Sequence, residues 1–213
     1  MLPVSGPVQG LDLSGRSLRG VDLGGRELVG CVLDGAVLTG ASLDGAVVRG
    51  GSARGAAFVD ADLSESRWED VDAAEAAFRG ALMTGAAFTG CRLMAADLSR
   101  TRGLGFTLTS CNLYAADLTG AVLAQARLTG LRLTEAVLRG ADLRGSDLAG
   151  SVLHQADLFD ARLDGADLRG ADLGPMDGPT GMDRVRALRG ATISPEQAQR
   201  IVEDLTGAVV LAR

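Results

Sequence analysis

Residues 116–150 read ADLTG AVLAQ ARLTG LRLTE AVLRG ADLRG SDLAG. Leucine stands third in every group of five, at 118, 123, 128, 133, 138, 143 and 148. The frame extends both ways without insertion or deletion, from Leu13 to Leu173. Of its 33 centre positions 24 are leucine; the others are Val48, Ala53, Phe58, Trp68, Ala73, Phe78, Met83, Phe88 and Gly103. Two residues before each centre lies a second apolar position, mostly small, as in Ala36, Ala41, Ala46, Ala116, Ala121, Ala166 and Ala171. Between the two sits a polar residue, often aspartate (Asp97, Asp117, Asp142, Asp167, Asp172), and glycine stands two after the centre in 20 of the 33 groups.

A period of five is neither helical nor that of a plain strand. It fits a three-residue strand, small-polar-Leu alternating in-out-in, closed by a tight turn whose last residue has positive φ, which explains the glycine. Four such sides close a square, so one coil takes 20 residues. Stacked at the ordinary strand spacing, about 8.5 coils make a rod roughly 40 Å long. The large residues support the 20-residue coil. Coil 51–70 has Ala53, Phe58, Leu63 and Trp68 at its centres, and the next has Ala73, Phe78, Met83 and Phe88. Rings are thus offset by alanines within a fixed cross-section. Gly103 leaves a gap beside Phe106, and the ring is expected to lean into it.

The unbroken motifs ADLRG at 141–145 and 166–170 resemble the A(D/N)LXX signature of the pentapeptide-repeat family. The resemblance covers residues 11 to 173. It implies an all-β fold, a right-handed quadrilateral β-helix, here followed by a short C-terminal α-helix. The expected organisation is an N-terminal cap (1–10), the β-helix (11–175), an irregular linker with a last partial coil (176–193), and a capping or dimerisation helix with its tail (194–213).

The open ends need covers. Leu2, Pro3, Val4, Pro7 and Val8 are available at the N-terminus, with Val8 already in frame. At the other end the frame stops at Gly174–Pro175, and Leu188 and Ile193 return to it. Ser194-Pro195-Glu196-Gln197 reads as a helix start with a capping box, and Gly207 as its end. Ala198, Ile201, Val202 and Leu205 share one face, and Ala208 to Ala212, including Val209, Val210 and Leu211, form an apolar tail. These residues are either a lid on the core or a two-fold dimer interface. The quinolone-resistance branch of the family, the Qnr and MfpA type, is similar in plan, which implies a homodimer through this end. The chain lacks surface insertions and so looks like the loop-free MfpA type.

Composition narrows the function. All 21 basic residues are arginine and the net charge is −6. The absence of lysine excludes P-loop and Schiff-base chemistry, and the charge disfavours nucleic acid or anionic membrane as a direct partner. No signal peptide and no membrane span is read, so a cytoplasmic location is expected. The three cysteines, Cys31, Cys91 and Cys111, share the small inward position of one side; Cys91 and Cys111 are expected to stack one coil apart as buried thiols. The single histidine, His154, sits in an outward turn with no partner in view. Arg16 and Arg26 occupy positions that should point inward. No nucleophile–base pair, metal cluster or phosphate loop is present in the sequence, so neither an enzyme, a metal nor a cofactor is expected.

The surface charge is uneven. Two opposite sides carry six acids against three arginines each. Four consecutive turns replace glycine with an acid, Asp60, Glu65, Asp70 and Glu75, with Asp62, Glu69 and Asp72 nearby. This belt is either a solvated surface or a site for a basic groove. A rod of duplex-like width with ordered carboxylates can stand in for DNA phosphates. The resemblance implies DNA gyrase, a type II topoisomerase, as the partner, and resistance to gyrase-targeting antibiotics such as quinolones. The alternative is an interaction scaffold with an unrelated partner.

Overall fold

A computed structural model describes residues 6–176, 181–207 and 209. Seven short strands, β1 (Val8–Gln9), β2 (Glu27–Val29), β3 (Val47–Arg49), β4 (Arg67–Glu69), β5 (Ala87–Thr89), β6 (Thr107–Thr109) and β7 (Arg127–Thr129), form one parallel sheet in chain order. Each partner lies 20 residues on, as in Val8↔Leu28 and Trp68↔Phe88. The other three sides are single parallel bridges in the same register, such as Asp12↔Val32, Ser17↔Val37 and Asp22↔Ser42. The result is the right-handed quadrilateral β-helix, and its first side begins at β1.

The axis is dry. Leu98, Leu118 and Leu138 are all buried one coil apart, with Ala96, Ala116 and Ala136 beside them. Phe58 stacks on Phe78 (centroids 4.9 Å apart, planes at 5°) and Trp68 on Phe88 (5.2 Å, 9°). Within a coil Phe58 meets Trp68 edge-on at 5.3 Å. Both arrangements are favourable for aromatic quadrupoles. The buried Trp68 indole donates to Ser66 Oγ at 3.1 Å, and Ser66 donates in turn to the Leu63 carbonyl. Serine thus replaces the usual alanine where a polar atom must be satisfied.

The corner residue has positive φ throughout, from Gly15 (63°) to Gly170 (71°). The polar residue at mid-side has a role that its exposure alone does not suggest. Its carboxylate accepts the backbone N–H two residues on, at 2.9 Å from Ser14 to Asp12, 2.8 Å from Thr119 to Asp117 and 3.0 Å from Arg169 to Asp167. That N–H opens the turn, where the ladder offers it no acceptor, so aspartate or asparagine completes the corner.

Three details go beyond the sequence reading. At Gly103 the backbone is pressed onto the coil below: a Cβ there would lie 2.5 Å from the Thr84 nitrogen and 2.8 Å from the Met83 carbonyl carbon. Phe106 is buried and packs edge-on against Phe88 at 5.8 Å. Arg16 is exposed and Arg26 half-buried, neither lying in the channel. The coils above place Ala36, Ala56, Ala46 and Ser66 in those columns. The segment 176–193 is not wholly irregular, because helix α1 (Gly181–Ala187) lies within it. It shifts the last register to 25 residues, Asp167↔Thr192. The last partial coil forms, with Leu188 buried.

Helix α2 (Pro195–Thr206) starts at Ser194 with both halves of the capping box and ends at Gly207 (φ 67°). It covers the coil end by hydrogen bonding. Gln197 Nε2 donates to the carbonyls of Leu168 and Ala171, both at 2.7 Å, and the Met176 N–H donates to Asp204 at 2.8 Å. From α1, Arg184 donates to the carbonyls of Leu153, Leu173 and Pro175; burial pushes its pKa down. Of these carbonyls, that of Ala171 holds the position that pairs with the next coil elsewhere in the rod, whereas those of Leu153 and Leu168 also accept the in-turn N–H of Ala156 and Ala171.

Candidate functional site

Asp60, Glu65, Asp70 and Glu75 occupy successive corners with φ of 53°, 54°, 54° and 61°. A left-handed backbone disfavours side chains other than glycine by about 1–2 kcal/mol. Their carboxylates follow a second rule. Asp60, Glu65 and Asp70 lie over Gly80, Gly85 and Gly90 of the next coil, where a Cβ would collide with them. The same alternation recurs with Arg100 below Gly120 and Gln125 below Gly145. The fourth corner column breaks it: Glu75, Ala95, Ala115, Glu135 and Gln155 stack without a glycine, all with positive φ. The alternation is visible in the sequence only when corners are compared at intervals of 20.

The seven belt acids are not equivalent. Glu69 pairs with Arg49 at 2.9 Å, Asp72 with Arg54 at 3.1 Å and Arg92 at 3.9 Å, and Glu75 with Arg54 at 3.9 Å. Asp62 accepts both the N–H and the hydroxyl of Ser64. Among the described residues no cation lies within ion-pair distance of Asp60, Glu65 or Asp70, and all three are exposed. The belt is therefore three free carboxylates on three corners, with a partly neutralised fourth.

The other candidates resolve differently. His154 has a partner after all: its Nε2 lies 2.8 Å from Asp172 Oδ1, one coil on. This contact, then the Gly174 N–H, holds the Asp172 carboxyl below the usual range. The sequence reading missed it because the two residues are 18 apart yet face each other across adjacent coils. The three cysteines are free and buried. Contact with Cys111 and burial push the Cys91 thiol up, so it stays protonated. Among the described residues no group of histidine, cysteine and carboxylate side chains is arranged to hold a metal ion, and no described helix is long and apolar enough to cross a membrane.

At the C-terminal end the apolar face of α2 divides. Ile201 and Leu205 pack against the core, and Ala198 is half-buried. Val202 is 45% exposed and Val209 80%. Val210 and Leu211 lie outside the described residues.

The sequence profile described as "Pentapeptide repeats" matches eight copies, over residues 17–52, 56–100, 111–148 and 136–174. No curated protein sequence matches the chain. Among solved structures, the chain is similar to a trypsin-treated form of QnrB1, described as a plasmid-mediated fluoroquinolone resistance protein. The TM-score is 0.83 at 24% identity, covering 97% of this chain and 100% of that one. Full-length QnrB1 gives 0.80 at 24% identity, covering 94% and 100%.

Proposed function

The chain belongs to the pentapeptide-repeat family, and from that premise we propose that it is a non-catalytic binding protein that mimics DNA toward DNA gyrase. The carrying observation is the set of unpaired carboxylates Asp60, Glu65 and Asp70, held at three successive corners of a rigid rod in a backbone geometry that glycine would fill at lower cost. Negative groups fixed at regular intervals on a cylinder are what a groove built to neutralise phosphates recognises. QnrB1, which shares the fold over nearly its whole length, is described as a fluoroquinolone resistance protein. By the same reading, this chain protects gyrase from quinolone-like poisons in the cytoplasm.

The rod acts as a homodimer joined at its C-terminal end. Val202 and Val209 supply the apolar contact that the lid leaves uncovered, and α2 has no fully buried residue of its own. A dimer doubles the length of charged cylinder that one partner meets.

A gyrase supercoiling assay tests the reading. Inhibition of supercoiling, or protection from a quinolone, is expected at micromolar chain; neither effect would reject it. One observation favours the rival scaffold reading: the arginine partners of Glu69, Asp72 and Glu75 reduce the free charge below that of a continuous phosphate-like stripe. A pull-down that returns a partner other than a topoisomerase would select that reading.

A further inference from the structure

The side formed by residues 101–105 departs from every other inner coil. The repeat's leucine is displaced by one position: Gly103 takes the centre and Leu104 stands outside, 64% exposed. The equivalent positions in neighbouring coils hold Asp44, Ser64, Thr84, Ala124 and Arg144, so the fold does not require an apolar side chain there. The ladder opens at the same place. The bridge Leu82↔Arg102 is made, and so is Val122↔Asp142, but Arg102 and Val122 do not bridge, and of the usual bonds there only that from the Val122 N–H to the Thr101 carbonyl, at 2.8 Å, remains. Among the described residues the N–H groups of Gly103 and Gly105 have no backbone partner, although the equivalent groups of Met83 and Gly85 bond to Arg102 and Leu104. Val122, directly above, is exposed as well. Arg100 stands at the corner before this side and Arg102 at its middle, both exposed and neither within ion-pair distance of a carboxylate among the described residues. Arg100 is itself held at φ 55°.

We propose that Leu104, with Val122 beside it and Arg100 and Arg102 at its rim, is a docking knob for a protein surface that presents an apolar pocket bordered by carboxylates. An exposed leucine releases water on entering such a pocket, and unpaired arginines are suited to join carboxylates at its edge. Gly103 fixes the knob: its backbone lies against Thr84 with no space for a side chain, so the strand cannot rotate Leu104 inward. The chemistry is opposite in sign to that of the acidic corners, with Arg100 two coils above Asp60 in the same corner column. The partner surface is therefore acidic here and basic about 10 Å away. This goes beyond the gyrase reading, since it assigns a second surface whose partner is acidic and apolar where the corners call for a basic one.

The test uses the full chain and three variants that change only exposed side chains, Leu104→Ser, Leu104→Asp and the double Arg100→Glu/Arg102→Glu, each first shown to keep the wild-type melting temperature. Binding to purified DNA gyrase is titrated for each. Losses of at least tenfold for Leu104→Asp and the arginine double, and a smaller loss for Leu104→Ser, are expected. Wild-type affinity in all three, while a variant with glycine at Asp60, Glu65, Asp70 and Glu75 is weakened, would overturn the knob and leave the gyrase reading standing. If the wild-type chain does not bind gyrase, that reading fails alone. The knob is then decided by a photo-crosslinking residue at 104 in cells: an adduct whose crosslinked peptide maps to an apolar pocket bordered by aspartate or glutamate, and which the arginine double abolishes, supports it, and no adduct, one at any other surface, or one that survives the double, overturns it.

Discussion

Replacing Asp60, Glu65, Asp70 and Glu75 together with glycine should make the protein more stable while removing its proposed binding surface. All four sit at φ between 53° and 61°. That geometry disfavours an ordinary side chain by about 1–2 kcal/mol. Glycine gives back roughly 0.5–1 kcal/mol through the greater freedom of its unfolded chain. Each glutamate then gains about 0.5–1 kcal/mol, and each aspartate less, because its short side chain tolerates the left-handed region better. The exposed Glu75–Arg54 pair, at 3.9 Å, offsets at most about 1 kcal/mol. The net is about 1–2 kcal/mol of added stability, or a rise in Tm of roughly 2–8 °C for a chain of this size. Thermal unfolding followed by circular dichroism reads it. Repeating the scan at high salt separates released strain from reduced charge repulsion, since only the second is screened. An unchanged or lower Tm would mean that the acids stabilise the corners. The inference that they are retained for binding would then have no support.

Gly51→Ala should lower stability by about 2–4 kcal/mol, because φ is 75° and the added methyl would lie 2.9 Å from the Cys31 nitrogen and closer still to its carbonyl oxygen; a urea midpoint equal to wild type would show that the coil can yield there. Cys91 and Cys111 should not react with a thiol reagent until the protein unfolds, given their burial and the raised pKa of Cys91; rapid labelling of the native chain would contradict the packing. Hydrogen bonds from Arg169 hold Asp167 at about 2, against about 3.9 in an unfolded chain. The unfolded state therefore binds more protons between these values, and the stabilisation is complete above about pH 5 and lost as pH falls toward 2. Arg169→Ala should flatten that acid limb, and an unchanged urea midpoint-versus-pH curve would rule out the pair. Gln197→Ala removes two hydrogen bonds to coil-end carbonyls and should destabilise α2 by about 1–3 kcal/mol, seen as faster amide exchange in 195–206 with the central coils unaffected; unchanged exchange there would show that the lid does not depend on this residue.

The parts of the fold that repeat were legible in the sequence because each obeys a constraint applied many times over. Leucine every five residues, glycine at the corner and the 20-residue offset of Phe58 to Phe78 are such constraints, and the stacked rings follow from them. The helix start at Ser194 was equally readable, since its capping box is local. What escaped depends on contacts between coils. His154 and Asp172 meet only after a coil closes. The aspartate-to-N–H bonds require knowing which turn donors the ladder leaves over. The close approach of Gly103 to Thr84 of the coil below is likewise a contact between coils. The acidic belt shrank for the same reason: Arg49, Arg54 and Arg92 are distant in sequence from the acids they neutralise.

The most direct measurement is competition for purified DNA gyrase between the chain and a labelled DNA duplex, followed by fluorescence anisotropy at two salt concentrations. Mutually exclusive occupancy is predicted, weaker in the higher salt and absent for the four-glycine variant. Simultaneous binding of chain and duplex, or displacement that ignores both salt and the four carboxylates, would contradict DNA mimicry.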